Sequence, residues 1–277
     1  MRTTWKPSSN KTKLTFLLSL TFLFLFSGSV YGDDIQDALD AHERKDYKEA
    51  VRLFLPLAER GDEYAQFNIG SMYTNGQGVP QDNKEAYKWY RLSAEQGFAK
   101  AQFNIGSMYS NGKGVPQDYK EAVKWYRLSA EQGHEEAQFN LGFKYYWGQG
   151  VPQDYKKAVK WIRLSAEQGN VRAQFNLGAM YRTGGQGVPQ DYKEAIRWYR
   201  LAAEKGSVRA QYDLGTAYSL GDGVLQDYVL AHMWWNICGS GGNKECVKKR
   251  DLIAKKMTPS QIEEAQRLAR NWKPTKK

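Results

Sequence analysis

The sequence predicts an all-α fold in which helical hairpins stack into a solenoid. A segment of 22 residues, GKGVPQDYKEAVKWYRLSAEQG at 112–133, occurs four times with few changes. The hexapeptide AQFNIG or a close variant begins at residues 65, 101, 137, 173 and 210, at spacings of 36, 36, 36 and 37. A period of this size is typical of repeat proteins in which each helical pair completes the apolar core of its neighbours.

Each repeat is predicted to begin with a helix whose apolar residues lie four positions apart, such as Ala101, Ile105 and Tyr109. Gly112 is expected to end this helix, and Pro116 prevents its extension. Good N-cap residues precede the corresponding helix in three other copies, namely Asp62, Asn170 and Ser207.

A second helix is predicted to start after Asp118, with Glu121 placed as in a capping box, and to end at Gly133. The small residues at fixed positions should let the two helices of a pair approach closely, while recurring tyrosines and tryptophans fill the space between pairs. The apolar face of this helix is predicted to comprise Ala122, Trp125, Tyr126 and Ala130.

The repeats divide the chain into segments. Residues 1–32 are predicted to be a signal peptide, and DYKEAVRLFLPLAERG lies in a degenerate N-terminal repeat over 33–64. VLAHMWWNI replaces the usual KEAVKWYRL in the last copy, and Thr258-Pro-Ser-Gln261 opens a final amphipathic helix. The remaining predicted segments are repeats at 65–100, 101–136, 137–172 and 173–209, a divergent last repeat at 210–246, and capping helices at 247–277.

The first residues have the pattern of a secretory signal peptide: a basic start, an apolar core and small residues at Val30 and Gly32. The core from Leu14 to Phe26 has 13 residues, fewer than the roughly 20 of a membrane-spanning helix. Cleavage is predicted after Gly32, and the alternative is a retained membrane anchor. We therefore expect an exported protein, periplasmic or secreted.

Charge and cysteines narrow the partners and the compartment. Of the 40 Lys and Arg residues, four precede position 33, and none of the 30 Asp and Glu residues does. The net charge of the chain after residue 32 is therefore 36 − 30 = +6. This modest charge does not call for a nucleic-acid partner, although membrane or cell-wall contact stays open. Cys238 and Cys246, the two cysteines of the chain, are predicted to form a disulfide across a glycine-rich turn, with two free thiols as the alternative.

The pattern A-x-x-x-[LI]-G-x-x-Y-x-x-G-x-G-V-x-x-D-x-x-x-A-x-x-W-[YI]-x-x-[AS]-A-E-x-G resembles the Sel-one-like repeat, a shorter relative of the tetratricopeptide repeat, over about residues 33–272. The resemblance implies a right-handed superhelical α/α solenoid that binds other proteins. It also implies a role at the bacterial envelope or in contact with host cells.

No catalytic constellation is apparent. His42, His134 and His232 lie in different repeats, and the glycines of GQGVPQ lack the end of a phosphate-binding loop. Some cysteine-rich proteins of the resembled family are associated with penicillin binding and weak β-lactamase activity. The Ser-x-x-Lys element of such enzymes has one match after residue 32, Ser110 to Lys113, and the companion elements are missing. We predict no enzyme, cofactor or metal, with a cell-wall or β-lactam binder of weak hydrolase activity as the alternative.

Positions that differ between repeats are candidates for contacting a partner protein. On the first helices they form a polar stripe with an aromatic cluster, Phe143, Tyr146 and Trp147, that is predicted to supply hot-spot residues. The aromatic residues could instead belong to the core, and the asparagines could hydrogen-bond between neighbouring helices. The predicted partner-binding residues are Asn104, Ser107, Asn140, Phe143, Tyr146, Trp147, Asn176 and Arg182.

The second helices carry lysines and arginines at i, i+4 and i+7, such as Lys120, Lys124 and Arg127. Acidic residues three positions before the middle lysine offset this charge, so we expect a solvated outer face. The chain is expected to be a monomer that binds a protein whose identity the sequence does not specify.

Overall fold

A computed structural model describes residues 34–185 and 187–275, and these residues form fourteen helices and no strand. The all-α repeat fold is therefore confirmed. The predicted signal peptide lies outside the described residues. The helices are α1 (34–43), α2 (Tyr47–Glu59), α3 (Glu63–Asn75), α4 (Asn83–Glu95), α5 (Ala99–Asn111), α6 (Tyr119–Glu131), α7 (Glu135–Trp147), α8 (Tyr155–Glu167), α9 (Val171–Thr183), α10 (Tyr192–Glu204), α11 (Val208–Leu220), α12 (Tyr228–Ser240), α13 (Lys244–Ala254) and α14 (Pro259–Asn271).

Side-chain caps start the helices where the sequence predicts them. Asp118 accepts hydrogen bonds from the backbone N–H groups of Lys120 and Glu121. The capping-box prediction for Glu121 is wrong in its second half, because its carboxylate pairs with Lys124 and does not bond back to the cap. A lysine three residues further along the same helix is within reach of the glutamate carboxylate, and the Glu121 side chain pairs with it. The other predicted caps, Asp62, Asn170 and Ser207, are confirmed.

The described residues fall into two compact units, 34–101 with 113–116, and 102–112 with 117–275. In the first unit, α2 packs on α3 and α3 on α4 around a core that contains Phe54, Leu57 and Ile69. In the second unit, each helix from α6 to α12 packs against the next one along the chain. Each repeat there supplies one side of the core of its neighbour, as expected for a solenoid.

A glycine in each first helix sets the distance to the second helix of the same repeat. A Cβ atom on Gly178 would lie 2.7 Å from Cδ1 of Tyr199, and one on Gly142 would lie 2.7 Å from Cγ1 of Ile162. Both partner side chains are almost fully buried. The close approach predicted from the recurring small residues is thus present, and a larger side chain would separate the helices.

In four of the loops, the second glycine meets the backbone of the preceding repeat. Gly187 has φ +96°, and a Cβ atom there would lie 2.7 Å from the carbonyl oxygen of Tyr155. Gly223 has φ +71° and stands equally close to the backbone of Tyr192. These positions need glycine both for the left-handed backbone and for the lack of a side chain.

Polar side chains also join the repeats of the second unit. Arg200 Nη2 donates to the hydroxyl of Tyr218 over 2.8 Å, and Arg127 Nη2 donates to that of Tyr145 over 2.9 Å. Gln174 is buried, and its amide donates to the carbonyl oxygen of Ala166, 3.1 Å away. The arginines of the outer basic stripe therefore take part in packing between repeats.

The last helices complete the C-terminal end of the second unit. The ring of Trp272, after α14, packs edge-to-face against Trp234 of α12, with centroids 6.1 Å apart. Thr258 and Gln261 form the reciprocal capping box that starts α14. The predicted segment boundaries, including the capping helices at 247–277, stay a prediction.

The predicted cysteine pair lies in the same part of the second unit. Cys238 and Cys246 are buried at disulfide distance, with Cα atoms 5.8 Å apart. None of the helices that the structure describes is long and apolar enough to cross a membrane.

Candidate functional site

The predicted aromatic cluster lines a cavity of about 450 Å³ between α7, α8 and α9. Phe143, Tyr146 and Trp147 of α7 face Ala179 of α9 across it. Ala179 occupies the repeat position that Phe143 occupies one repeat earlier, and its small side chain leaves space in front of the rings. We call this space the aromatic cavity; its other lining residues are Ile162, Asn176, Met180, Thr183 and Gly184.

The three aromatic side chains differ in exposure. Trp147 is 61% exposed, and its ring packs edge-to-face on Tyr146 with centroids 4.7 Å apart. Phe143 and Tyr146 are half-buried and also pack against the core of the second unit. Trp147 therefore presents an apolar surface to solvent while its neighbour fixes its orientation, which is typical of an anchor residue at an interface.

A second cavity, of about 440 Å³, lies on the other side of the same aromatic residues, between α5, α6 and α7. Phe143 and Trp147 border both cavities, so the two lie next to each other. This second space is polar: Ser107, Asn140 and Tyr126 are among its lining residues. We call it the polar cavity; it is also lined by Ser110, Asn111, Phe139, Lys144, Gln149 and Arg172.

The hydroxyl of Tyr126 organises one wall of the polar cavity. It shares a hydrogen bond with Ser107 Oγ over 3.1 Å. Burial raises the pKa of Tyr126, and hydrogen bonding with Ser107, Ser110 and Asn140 works in the opposite direction. The wall is therefore a set of neutral hydrogen-bonding groups at neutral pH.

Lys144 is a buried cation in the polar cavity. Its side chain Nζ donates to Gln149 Oε1 over 3.0 Å and lies 4.0 Å from the centroid of the Tyr119 ring. The residue is only 8% exposed, and burial lowers the pKa of its ammonium group. Among the described residues no carboxylate pairs with it. The same position is Met72, Met108 and Met180 in three other repeats.

A third cavity, of about 390 Å³, extends the surface toward α11. Arg172 and Arg209 line it together with Phe139, Phe143 and Phe175. The guanidinium carbon of Arg172 lies 4.6 Å from the centroid of the Phe139 ring. We call this space the arginine cavity, and the aromatic, polar and arginine cavities together the groove.

The asparagines of the predicted ladder bridge neighbouring helices at Asn140, whereas Asn68 and Asn176 bond within their own helices. Asn176 Nδ2 donates to the carbonyl oxygen of Arg172 on its own helix, 2.7 Å away, and Asn68 does the same to Tyr64 over 2.8 Å. A backbone carbonyl four residues earlier is the closest acceptor for a side chain of this length. Asn140 differs, because it reaches Tyr126 of the preceding helix.

Two predicted residues, Asn104 and Arg182, lie outside the lining of the groove. Arg182 borders a small pocket beside Tyr199 and Asp213. Burial raises the pKa of the Asp213 carboxyl group, and the positive charge of Arg182 partly offsets this. The other six predicted residues, Ser107, Asn140, Phe143, Tyr146, Trp147 and Asn176, all line the groove.

Sequence reasoning missed Lys144 and Arg172. A signal for Lys144 was present, because a lysine replaces the methionine of three other repeats at an apolar position. Arg172 carries no such signal, since its position varies between the repeats, with Tyr64, Lys100, Glu136 and Arg209 as its equivalents. Only the packing of α7 beside α9 shows that both cations face one surface.

The histidine and serine side chains that could serve in catalysis or metal binding instead make contacts within the fold. His134 Nδ1 accepts from the backbone N–H of Ala137 and caps α7, while its ring stacks on Phe103. Burial is the main cause that lowers the pKa of His232. Ser110 lies beside the Tyr126 hydroxyl. Within 34–185 and 187–275, no group of three His, Cys, Asp or Glu residues is placed to hold a metal ion.

Comparison with known proteins identifies the repeat. The family model described as Sel1 repeat matches residues 40–62, 63–98, 99–134, 135–170, 171–207 and 208–237. The crystal structure of a Sel1 repeat protein from Oxalobacter formigenes is 34% identical, covers 86% of this chain and 96% of that chain, and superposes with a TM-score of 0.73.

Two other solved structures are similar at lower scores. The protective antigen c5321 of uropathogenic Escherichia coli is 26% identical over 82% of this chain and 79% of that chain, with a TM-score of 0.32. Helicobacter pylori cysteine rich protein B is 24% identical over 46% of this chain and 92% of that chain, with a TM-score of 0.37. No curated protein matches the sequence. The six matched repeats and the 34% identical structure show that the chain belongs to the Sel1 repeat family.

Proposed function

We propose that this chain is an exported, non-enzymatic protein that holds a segment of another protein in the groove along α7 and α9, either as a scaffold at the bacterial envelope or in contact with a host factor. Sel1 repeat proteins generally mediate protein–protein interaction, and their solenoid fold is typically a non-enzymatic scaffold. Predicted residues that would make the contact are Phe143, Tyr146 and Trp147.

The observation that carries the proposal is the exposure of Trp147 beside a cavity. A tryptophan that is 61% exposed and borders about 450 Å³ of open, aromatic-walled space offers a partner a large apolar contact. Hot-spot residues of interfaces are enriched in Trp and Tyr that sit next to pockets. The corresponding positions in the other repeats are Asn75, Asn111, Thr183 and Leu220, so the exposed tryptophan belongs to one repeat and not to the scaffold.

Export is part of the proposal and rests on two independent features. The N-terminal residues have the charge and apolar pattern of a secretory signal peptide. Cys238 and Cys246 lie at disulfide distance, and disulfides persist in oxidising compartments. A processed N-terminus beginning at Asp33 in protein isolated from the periplasm or the medium would support this part.

A photo-crosslinking amino acid at position 147, introduced in the native organism, tests the proposal. The expected result is a covalent adduct with one partner protein, identified by mass spectrometry, and no such adduct from the same group at the exposed Lys160 of α8. Equal cross-linking from both positions would contradict a specific groove.

The variant W147A then measures the contribution of the ring. We expect it to weaken binding of the identified partner by at least tenfold, a loss of about 1.4 kcal/mol or more. The free energy of unfolding should change by less than about 1 kcal/mol, because the side chain is mostly exposed. A large fall in melting temperature would instead place Trp147 in the core.

A nitrocefin assay on the purified protein addresses the alternative function. Turnover that disappears in S110A would favour a β-lactam hydrolase and overturn the non-enzymatic proposal. Turnover that S110A leaves unchanged would also contradict the non-enzymatic proposal, and it would mean that a residue other than Ser110 is the nucleophile.

A further inference from the structure

We infer that the groove takes an acidic segment of the partner, in which the carboxylate of an Asp or Glu side chain pairs with Lys144 and Arg172 while a neighbouring apolar side chain enters the aromatic cavity. This inference rests on the proposed function and adds the chemical class of the ligand. The following features of the groove support it.

Lys144 is costly to the fold as it stands. Three other repeats place a methionine at this position, which fills the core without a charge. Lys144 instead brings a charged side chain that is only 8% exposed, and its contacts among the described residues are an amide oxygen and a tyrosine ring. A buried cation without a carboxylate is stabilised when an anion joins it. A ligand carboxylate in the polar cavity would supply that anion.

The other charged residues that line the groove are also positive. Lys144, Arg172 and Arg209 line the polar and arginine cavities, and no Asp or Glu is among the residues that line any of the three cavities. Like charges in a concave surface repel one another and raise the local concentration of anions. The groove is thus complementary to a negatively charged partner, whereas on the outer faces of α6 and α10 the charges are paired.

The ligand must also carry an apolar group. The polar cavity and the aromatic cavity meet at Phe143 and Trp147, and no other residue lines both. A ligand that places a carboxylate near Lys144 therefore has its adjacent residues over the rings of α7. One apolar residue close to the acidic residue in sequence would fill the aromatic cavity and remove Trp147 from water.

The distribution of the cations favours side-chain carboxylates over a free C-terminus. Arg172 lines both the polar and the arginine cavity, Lys144 lines only the former and Arg209 only the latter. A single terminal carboxylate would neutralise one end of this row. A segment with acidic side chains at several positions can pair with more of it.

A peptide library displayed on phage, joined through its C-terminus so that no free carboxylate is present, tests the inference with the purified chain. Selection on the wild type should enrich peptides with Asp or Glu next to an aromatic or aliphatic residue. Selected peptides are then synthesised as C-terminal amides, and their affinity is measured by fluorescence polarisation.

The expected effects are specific to the groove. Replacing the acidic residue of the peptide by its amide should weaken binding to the wild type by about tenfold or more. The same replacement should matter less than about twofold for the double variant K144M/R172Q. Methionine is the residue of three other repeats, so K144M preserves the apolar packing, and thermal melting checks that it folds. K160M removes one exposed charge from the outer side of α8 and should leave peptide affinity unchanged.

The outcomes separate this inference from the proposed function. Peptides that require Trp147 but show no enrichment in acidic residues would overturn the inference and leave the docking function in place. Binding only by peptides with a free C-terminal carboxylate, in a matched synthetic set, would also overturn it. If no peptide is enriched, or W147A selects the same peptides as the wild type, the docking function itself is refuted.

Discussion

Gly178→Ala should destabilise the protein even though alanine favours helices more than glycine. The new Cβ atom would lie 2.7 Å from Cδ1 and 2.8 Å from Cε1 of Tyr199, and 3.2 Å from the carbonyl oxygen of Ala195. Tyr199 is only 1% exposed and packs on Phe175 with ring centroids 5.7 Å apart, so its ring has little space to move into beyond the small pocket beside Asp213. One contact is backbone, so α9 and α10 must separate slightly.

Two opposing contributions set the magnitude. Overpacking a core by one methyl group costs about 1–3 kcal/mol, and removing a helical glycine recovers about 0.5–1 kcal/mol. The middle of these ranges gives a net loss of about 1 kcal/mol, which corresponds to a fall in Tm of about 2–4 °C for a chain of this size. Repeat proteins can unfold locally, so amide exchange should quicken most in α9 and α10.

The variant Y199A provides the control. In that background the ring is gone, and Gly178→Ala should become stabilising, because only the helix preference and the partial filling of the cavity remain. Chemical denaturation followed by circular dichroism measures all four proteins. A loss of equal size in both backgrounds would refute the argument that the distance between Gly178 and Tyr199 limits the packing.

Two further predictions concern charge and the cysteine pair. Burial raises the pKa of the Asp213 carboxyl group in the folded protein. The unfolded chain therefore ionises more readily, and the folded protein loses stability as the pH rises above the ordinary carboxyl pKa of about 3.9. The variant D213N has the asparagine of four other repeats. It should therefore raise the free energy of unfolding at pH 7 by about 0.5–2 kcal/mol, seen as a higher Tm, and have little effect near pH 3. The same gain at pH 7 and at pH 3 would contradict this reasoning. Reduction of the Cys238–Cys246 pair should lower the free energy of unfolding by about 2.5 kcal/mol, as estimated from chain entropy. The variant C238A/C246A is the control: if the reductant lowers its Tm by the same amount, a process other than disulfide reduction is responsible.

Sequence reasoning predicted the helices well because their signals are local. Asp118 caps α6 and Gly112 follows α5 as expected, since caps and glycines act within a few residues of a helix end. The role of Gly178 also followed from its recurrence, because a small residue kept in every repeat implies close packing.

The contacts between repeats were not predictable in the same way. Gln138 is buried, and its side-chain amide donates to the carbonyl oxygen of Ala130 in the preceding repeat over 3.2 Å. The glutamine recurs in all five copies, which indicates a role in the scaffold, but the recurrence does not identify the carbonyl group that accepts its hydrogen bond. For the site, the aromatic cluster was visible as a departure from the repeat, whereas the approach of Arg172 to the Lys144 cavity depends on how two helices pack.

The extra residue between Thr183 and Val188 gives the chain a tolerant position at the edge of the groove. In the preceding repeat, Gln153 anchors the loop by donating to the carbonyl oxygen of Tyr146 over 2.8 Å. Gln190 makes the equivalent bond to Arg182 over 3.0 Å, with one more residue in between. The loop thus changes length without disturbing the start of the next helix, and a fluorescent label inserted there would report occupancy of the neighbouring aromatic cavity from outside the fold.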